Sequence, residues 1–282
     1  MKKKSGFLSQ SLIVLVIVVV LFPVLFMLAN SFVGESEIMK NYGSLITGNQ
    51  SARTGLRLIP ERVTLEGYFK VFLLSPRYLI KFWNSLLLTC SIVLGQVIIS
   101  SLAGYGLAKF HFRGKEFFVF LVMILTLIPQ QVTLVTGFMV LDRFGLIGSY
   151  SAIILPGLFA TFGTFLLSQV FSGVPDSLLE AAEMDGANAW YLFIKIAIPY
   201  AKIGIAALAI LSFIDNWNMV EQPLIYLRNP NKYPLSVFLS LINENALGVS
   251  FVCGVLAILP VALLFFYLKN ALIHGIEYSN LK

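Results

Sequence analysis

Asp215, Asn216, Trp217 and Asn218 stand together at the far end of an apolar run that opens at Pro199. Acid, amide and indole groups at one level offer hydrogen bonds beside an aromatic face, which is what a hydroxylated solute requires. Ionisable groups inside apolar spans are functional candidates by default. Asp215 lies sixteen residues beyond Pro199, about 24 Å along a helix. Two roles fit this group: lining a solute path, or packing and gating at the outer interface. A second polar set, Gln130 and Gln131 with Thr133 and Thr136, follows Pro129. Proline frees a carbonyl and kinks a helix, so these side chains either face a cavity or satisfy the freed backbone. Gln96, Thr161, Thr164 and Ser168 read as hydrogen-bonding groups between helices.

Nothing in the chain assembles for catalysis. His111 and His274 fall at helix ends, and Cys90 and Cys253 sit in apolar segments as small packing groups. No metal-ligand spacing and no phosphate-binding glycine loop occurs. The chain is therefore expected to be a non-catalytic subunit that binds no cofactor itself.

A third group is acidic. Asp176, Glu180, Glu183 and Asp185 fall between Val170 and Ile194 with no Lys or Arg among them. Pro175 suits a first helical turn, and Ser177 with Glu180 predicts a capping box. Asp176 and Glu180 stand near the positive end of the helix dipole. Gly186 can end the helix in the left-handed conformation. The segment 172–199 is thus read as a short helix outside the bilayer. Leu178, Leu179, Ala182 and Met184 give it apolar side chains with no covalent neighbour to bury them, and a partner's cleft accounts for that. The alternative is a connector resting on lipid headgroups, where carboxylates fit poorly beside anionic lipid.

The elements that must hold these groups are membrane helices. Hydrophobic residues make up 58% of the 282-residue chain and charged residues 12%, about half the charge of an ordinary soluble domain. The apolar residues come in blocks of about twenty, the length that crosses roughly 30 Å of hydrocarbon. Six such spans are expected, over Ser11–Asn30, Ser85–Ala108, Phe117–Leu141, Ser151–Val174, Pro199–Val220 and Ser250–Leu268. The first is read as a retained anchor, because its apolar core is long for a secretory leader and no cleavage site follows it. Ser100, Ser101, Ala103, Gly104 and Gly106 in the second span allow close helix approach. The net charge of +6 reflects Lys and Arg collected at membrane flanks, and no soluble stretch holds a nucleic-acid module.

Lys2, Lys3 and Lys4 before the first span, and Lys109, Arg113 and Lys115 after the second, place those ends in the cytoplasm. Both termini are then inside. The organisation expected is a cytoplasmic N-terminus over 1–10, a first transmembrane helix over 11–30 and an extracytoplasmic loop over 31–84. A five-helix core follows over 85–268, and a cytoplasmic tail over 269–282. Within the loop, the amphipathic stretch Leu65–Phe82 reads as a helix lying on the membrane surface, since so few aliphatics cannot bury a core. Lys195 and Lys202 share a face near the inner end of the fifth span and snorkel to headgroups.

Glu180-Ala181-Ala182, then Asp185-Gly186-Ala187, Phe193 and Ile198-Pro199 resemble the EAA loop of ABC importer permeases. Asn84-Ser85, the run Gly104 to Lys109 followed by Phe112 to Lys115, Ile128-Pro129, Trp217-Asn218 and Pro223 to Ile225 resemble the maltose-type carbohydrate permeases. Six spans without a large periplasmic domain resemble the MalG-like partner of the pair. The tail from Gly275 to Lys282 departs from the family's Gly-rich ending, so the tail's contact with the ATPase is not carried over. The resemblance implies a multi-pass inner-membrane permease of a binding-protein-dependent importer for sugars. It implies a second homologous permease subunit, a dimer of ATP-binding subunits that hold ATP and Mg, and an extracytoplasmic solute-binding protein. Glu180, Ala181, Ala182, Asp185, Gly186 and Pro199 would couple to the ATPase. Gln130, Gln131, Asp215, Asn216, Trp217 and Asn218 would lie on the solute path. A single-chain secondary transporter would need more spans, paired broken helices and a coupling-ion site. A permease for a non-sugar solute is the other alternative.

Overall fold

The computed structural model describes residues 2–47, 60–74, 76–241 and 247–279. Among them the chain is all-α apart from one isolated antiparallel bridge between Val33 and Val63. It divides into two compact units, residues 1–82 with 238–260, and residues 83–237 with 261–282. Among the described residues, five helical stretches are long and apolar enough to cross a membrane, or six if one sharply bent pair counts as a span.

In the first unit, α1 (Lys2–Asn30) carries apolar side chains on every side. From Leu12 to Leu21 they are all exposed, so none of the described residues covers them. A helix of that kind needs lipid or another membrane helix around it. After a turn comes α2 (Glu35–Thr47), with Glu35 and Glu37 in its first turn. Its buried Ile38 and Tyr42 form a small cluster with Val33, against which Phe26, Leu247 and Phe251 pack. The expected loop is therefore organised by packing on its neighbours, although residues 48–59 and 75, with the turn formers Gly48, Asn49 and Gly55, lie outside the described residues.

The amphipathic stretch from Leu65 to Phe82 is not one surface helix. A short α3 (Glu66–Phe69) widens into a π-helical turn over Lys70–Leu74, and a new helix α4 (Pro76–Lys109) begins at the proline. Proline has no N–H to continue a preceding helix but suits a helix start. Val71 and Tyr78 are buried, whereas Phe69, Phe72, Leu73 and Leu74 are exposed. Lys70 ties this stretch to α2 through Glu35 at 2.8 Å and to Glu66 at 2.9 Å. Those two carboxylates raise its ammonium above the ordinary lysine value.

The second unit holds most of α4, followed by α5 (Lys115–Thr126), α6 (Gln130–Arg143), α7 (Ser151–Leu158) and α8 (Thr161–Ser172). The third expected span is broken, not merely kinked: α5 and α6 meet at 101°. Pro129 takes an extended conformation, φ −60° and ψ 135°, and the residue before a proline is pushed from the helical region. The fourth span is interrupted at Ala160, at φ −59° and ψ 119°, and runs over Ser151–Ser172, starting where expected and ending two residues before Val174. After α9 (Asp176–Met184) and α10 (Ala189–Tyr191), a π-helical turn over Leu192–Ala197 leads into α11 (Ile198–Trp217).

The fifth span therefore runs over Ala189–Trp217 and starts ten residues earlier than the expected Pro199. A widened turn is a standard way for a helix to pass a proline, whose ring clashes with the carbonyl four residues back. Next come α12 (Glu221–Tyr226) and α13 (Leu235–Ser240). The last helix, α14 (Leu247–Ser279), contains the last apolar stretch, Leu247–Tyr267, where Ser250–Leu268 was expected. The backbone stays helical through Ser279 in the atypical tail, and Asn280, Leu281 and Lys282 lie outside the described residues.

Small residues seat α4 against α8. A side chain at Gly104 would meet the Ser168 backbone nitrogen at 2.9 Å, so only glycine permits this approach. Gly106, grouped with it in the sequence, faces open space.

Candidate functional site

The acidic segment folds as the short helix α9, but its start differs from the expectation. Pro175, extended at φ −63° and ψ 129°, occupies the N-cap and no side chain caps the helix, so the Ser177–Glu180 capping box is not formed. Asp176 instead begins the helix, and its carboxylate turns outward to Lys109 at 2.6 Å. The same Nζ donates to the Val174 carbonyl at 2.6 Å, which fixes the end of α4 to the entry of α9. This hydrogen bond, then the lysine's charge, hold the Asp176 carboxyl below its usual range, with His111 and Lys115 contributing less. Lys115 is itself anchored, donating to the Ala108 carbonyl at 2.8 Å.

The end of α9 agrees with the sequence. Gly186 sits at φ +86°; its N–H reaches Glu183 O at 2.9 Å and the Ala187 N–H reaches Ala182 O at 3.0 Å. This pair of bonds is the Schellman arrangement, which satisfies the last carbonyls of the helix.

The apolar side chains of α9 divide between two environments. Leu179 is buried among Tyr105, Leu167, Phe171, Val174 and Phe193, and Ala182 and Ala187 pack on the same cluster. The expectation that the segment had no neighbour of its own to bury them is thus corrected for Leu179 and Ala182: α4, α8 and the start of α11 supply one. Tyr105, Phe171 and Phe193 form a ring triad with centroids 5.1 to 6.2 Å apart. Leu178 remains 46% exposed and Met184 88% exposed. Glu180, Ala181, Glu183, Asp185 and Gly186 are exposed as well. Pro199 lies past the π-helical turn, exposed in the first turn of α11.

At the other end of α11 the second group of sequence candidates meets a cavity of about 370 Å³. Gln130, Asp215, Asn216 and Asn218 line it together with Glu221 and Gln222, and Ile214, Met219 and Val220 form its apolar part. Gln131 is exposed at the start of α6 and does not line the cavity. Trp217 turns away: it is buried and stacked on Phe213, 5.5 Å between centroids and 11° between planes. Four of the six candidates are brought together, and two are not.

Of the alternatives open for the residues after Pro129, the cavity holds for Gln130. Thr133 and Thr136 donate to the carbonyls of Gln130 and Thr133 at 2.8 and 3.1 Å, within α6, and not to the one the proline frees. Gln96 accepts a hydrogen bond from Ser212 across α4 and α11, as a group between helices should.

Buried contacts brace the cavity's wall. Tyr226 of α12 donates to Leu134 O of α6 at 3.1 Å, and its own carbonyl accepts from Gly148 N at 2.8 Å. Asn84 donates to the carbonyls of Asn231 and Tyr233 at 2.8 and 3.2 Å, and Ser85 accepts from Leu235 N at 2.7 Å. The Asn84-Ser85 pair at the head of the second span thereby holds the chain that returns from α12. Sequence reasoning missed Glu221 and Gln222, which follow the helix end and carry no periodic signal. It also read Lys109 for topology and family resemblance but not as a partner of Asp176, a pairing that joins residues 67 apart in the chain.

Comparison with known proteins places these features in a family. Residues 96–278 match the family model described as binding-protein-dependent transport system inner membrane component. The chain is similar to the arabinooligosaccharides transport system permease proteins of Halalkalibacterium halodurans, 29% identical over 94% of this chain and 92% of the relative, and of Bacillus subtilis, 31% identical over 85% and 87%. It is 25% identical to the sn-glycerol-3-phosphate transport system permease protein of Brucella abortus, over 96% of each chain. A solved bacterial ABC transporter chain, involved in import of the acidic polysaccharide alginate, shares the fold at a TM-score of 0.80 and 22% identity, covering 95% of this chain and 96% of that one.

Proposed function

This chain belongs to the family of binding-protein-dependent transport system inner membrane components, and from that premise we propose that it is the permease subunit through which an ATP-driven importer moves sugars or oligosaccharides. α9 docks in a cleft of an ATP-binding subunit. A dimer of those subunits holds ATP and Mg, this chain binds no cofactor, and a second homologous permease chain completes the pathway. A solute-binding protein delivers the solute on the outer side. Six spans with both termini in the cytoplasm put α9 inside and the cavity of Asp215 outside, with α5 and α6 together serving as the third span.

The observation that carries this reading is the two-sidedness of α9. One face is anchored through Leu179 and Ala182 in an aromatic core, and the other presents Leu178, Met184 and three carboxylates outward. A helix held in this way passes on a push from a partner as a rigid body, and packed helices switch between discrete arrangements. For the solute, the amides and acids around the cavity match hydroxyl groups, and two relatives carry arabino-oligosaccharide names.

Glu180→Lys and Gly186→Pro, assayed for membrane insertion, co-purification of the ATPase and uptake into vesicles, test the docking. Both should cut uptake at least about tenfold, since a lost anchor contact of 1.4 kcal/mol already has that effect, while insertion is kept. Normal coupling in both variants would exclude α9 as the docking element. Uptake of amino acids but no oligosaccharide would overturn the solute class.

A further inference from the structure

We infer that the cavity at the end of α11 selects uncharged saccharides and rejects acidic ones such as uronates and phosphate esters. This inference rests on the reading of that cavity as part of the solute path. Its basis is which ends of the polar side chains remain available. Asn216 Nδ2 donates to the Ser212 carbonyl at 2.7 Å, and Asn218 Nδ2 donates to the Ile214 carbonyl at 2.8 Å. Each amide thus gives an N–H to its own helix, Asn216 a second one to Ser212 Oγ at 3.3 Å, while Asn218 keeps one N–H, and the carbonyl oxygens of both amides stay on the ligand side. Asn216 is held further, because Ser212 is itself engaged with Gln96 of α4. To these oxygens Asp215 and Glu221 add two carboxylates, which accept and do not donate.

The wall is consequently rich in acceptors. Gln130, Gln222 and the remaining N–H of Asn218 supply the amide donors, and among the described residues no Lys, Arg or His lines the space. A sugar hydroxyl can donate to every one of these oxygens. A uronate or phosphate brings more acceptors, for which this wall has few donors, and a negative charge; Gln130, Asp215, Asn218 and Glu221 are exposed, so the charge weighs more than desolvation. Two carboxylates in one partly enclosed space oppose that charge as well. Sites that bind carboxylate or phosphate use the reverse arrangement, with Arg forks or backbone N–H groups turned to the ligand. The sequence similarity therefore extends to a relative named for sn-glycerol 3-phosphate, while the wall of this cavity has the chemistry of a site for neutral solutes.

The test uses the purified importer complex in nanodiscs without its solute-binding protein, so that the delivery protein's selectivity does not enter. Saturation-transfer NMR would compare a panel of neutral pentose and hexose trisaccharides with trigalacturonate and glycerol 3-phosphate. The wild type should bind the best neutral trisaccharide at least about tenfold more tightly than either anion, the effect of one opposed charge in a semi-enclosed site. Asp215→Asn with Glu221→Gln should shrink that ratio severalfold, mainly by admitting the anions. Anions bound as tightly as neutral sugars by the wild type, and lost in the double variant, would overturn the inference while keeping the cavity on the path. Identical binding in wild type and variant, or no binding of any probe, would remove the cavity from the solute path and the inference with it. Thermal unfolding of the double variant at the wild-type temperature would show that its fold is intact.

Discussion

The two ends of α11 are built for different work. At its start, Ala197, Ala201 and Leu208 close on Tyr105, Phe171 and Phe193, and α9 is bolted to that cluster by Leu179. At its end, Asp215 and Asn218 are exposed, and the side chains that matter are held by bonds to their own helix. The first end is stabilised by burial, which is non-directional and grows with area. The second packs one face through Phe213 and Trp217, but its open face owes its properties to which donors and acceptors are left free. On the proposed function the first end moves as one body, for which a dry, close-packed region is suited, and the second exchanges water for solute, for which polar groups left unspent are suited.

This contrast can be broken in graded ways. Phe171→Ala empties the centre of the aromatic cluster and should cost about 3–5 kcal/mol, read as a fall in thermal stability in detergent. A loss below about 1 kcal/mol would show that the cluster is not the anchor of α9. Gly186→Ala meets no neighbour at its added Cβ. Its cost is therefore the left-handed backbone alone, about 1–2 kcal/mol, which should appear as faster hydrogen exchange confined to α9 and its C-terminal turn.

A smaller effect concerns pH. The Asp176 carboxyl is depressed by Lys109, so its stabilisation is present above the unfolded value of about 4 and is lost as pH falls through the lower folded value. Protection of the α9 amides, corrected for intrinsic rates, should decline below about pH 4 in the wild type. In Asp176→Asn it should be lower at neutral pH and change little with acid. The exposure of this carboxylate keeps the effect small. Least of all, Asp215→Asn should leave stability within about 0.5 kcal/mol while altering solute binding. A large stability loss there would erase the distinction between the two ends.

Some of this was legible in the residues. The length of each apolar block announces a membrane helix, and the all-round apolar α1 follows from composition alone. Gly186 ends α9 as its position implied, and Pro129 signalled an interruption. Its size was not visible: a kink and a break of 101° share one residue pattern, and neighbouring helices decide between them. The π-helical turn before Pro199 is similar, since the proline reports a problem for the helix and not the solution chosen. Leu178 and Leu179 look alike in sequence, yet one is exposed and the other buried. Trp217 was grouped with Asp215 by adjacency, but successive helical residues point about 100° apart, and the tryptophan turned to Phe213.

By itself, then, the sequence determined what depends on short-range chemistry: apolar blocks that must leave water, the turn that ends α9, the breakpoints set by proline, and the motif that places the chain in its family. Only the tertiary structure decided which face of α9 is anchored, that Lys109 reaches Asp176, and that Gln130 from α6 shares a cavity with Asn218, which caps α11, and Glu221 from α12. Those outcomes rest on contacts between residues far apart in the chain, whose formation depends on how whole helices pack. Local propensity carries no record of that packing.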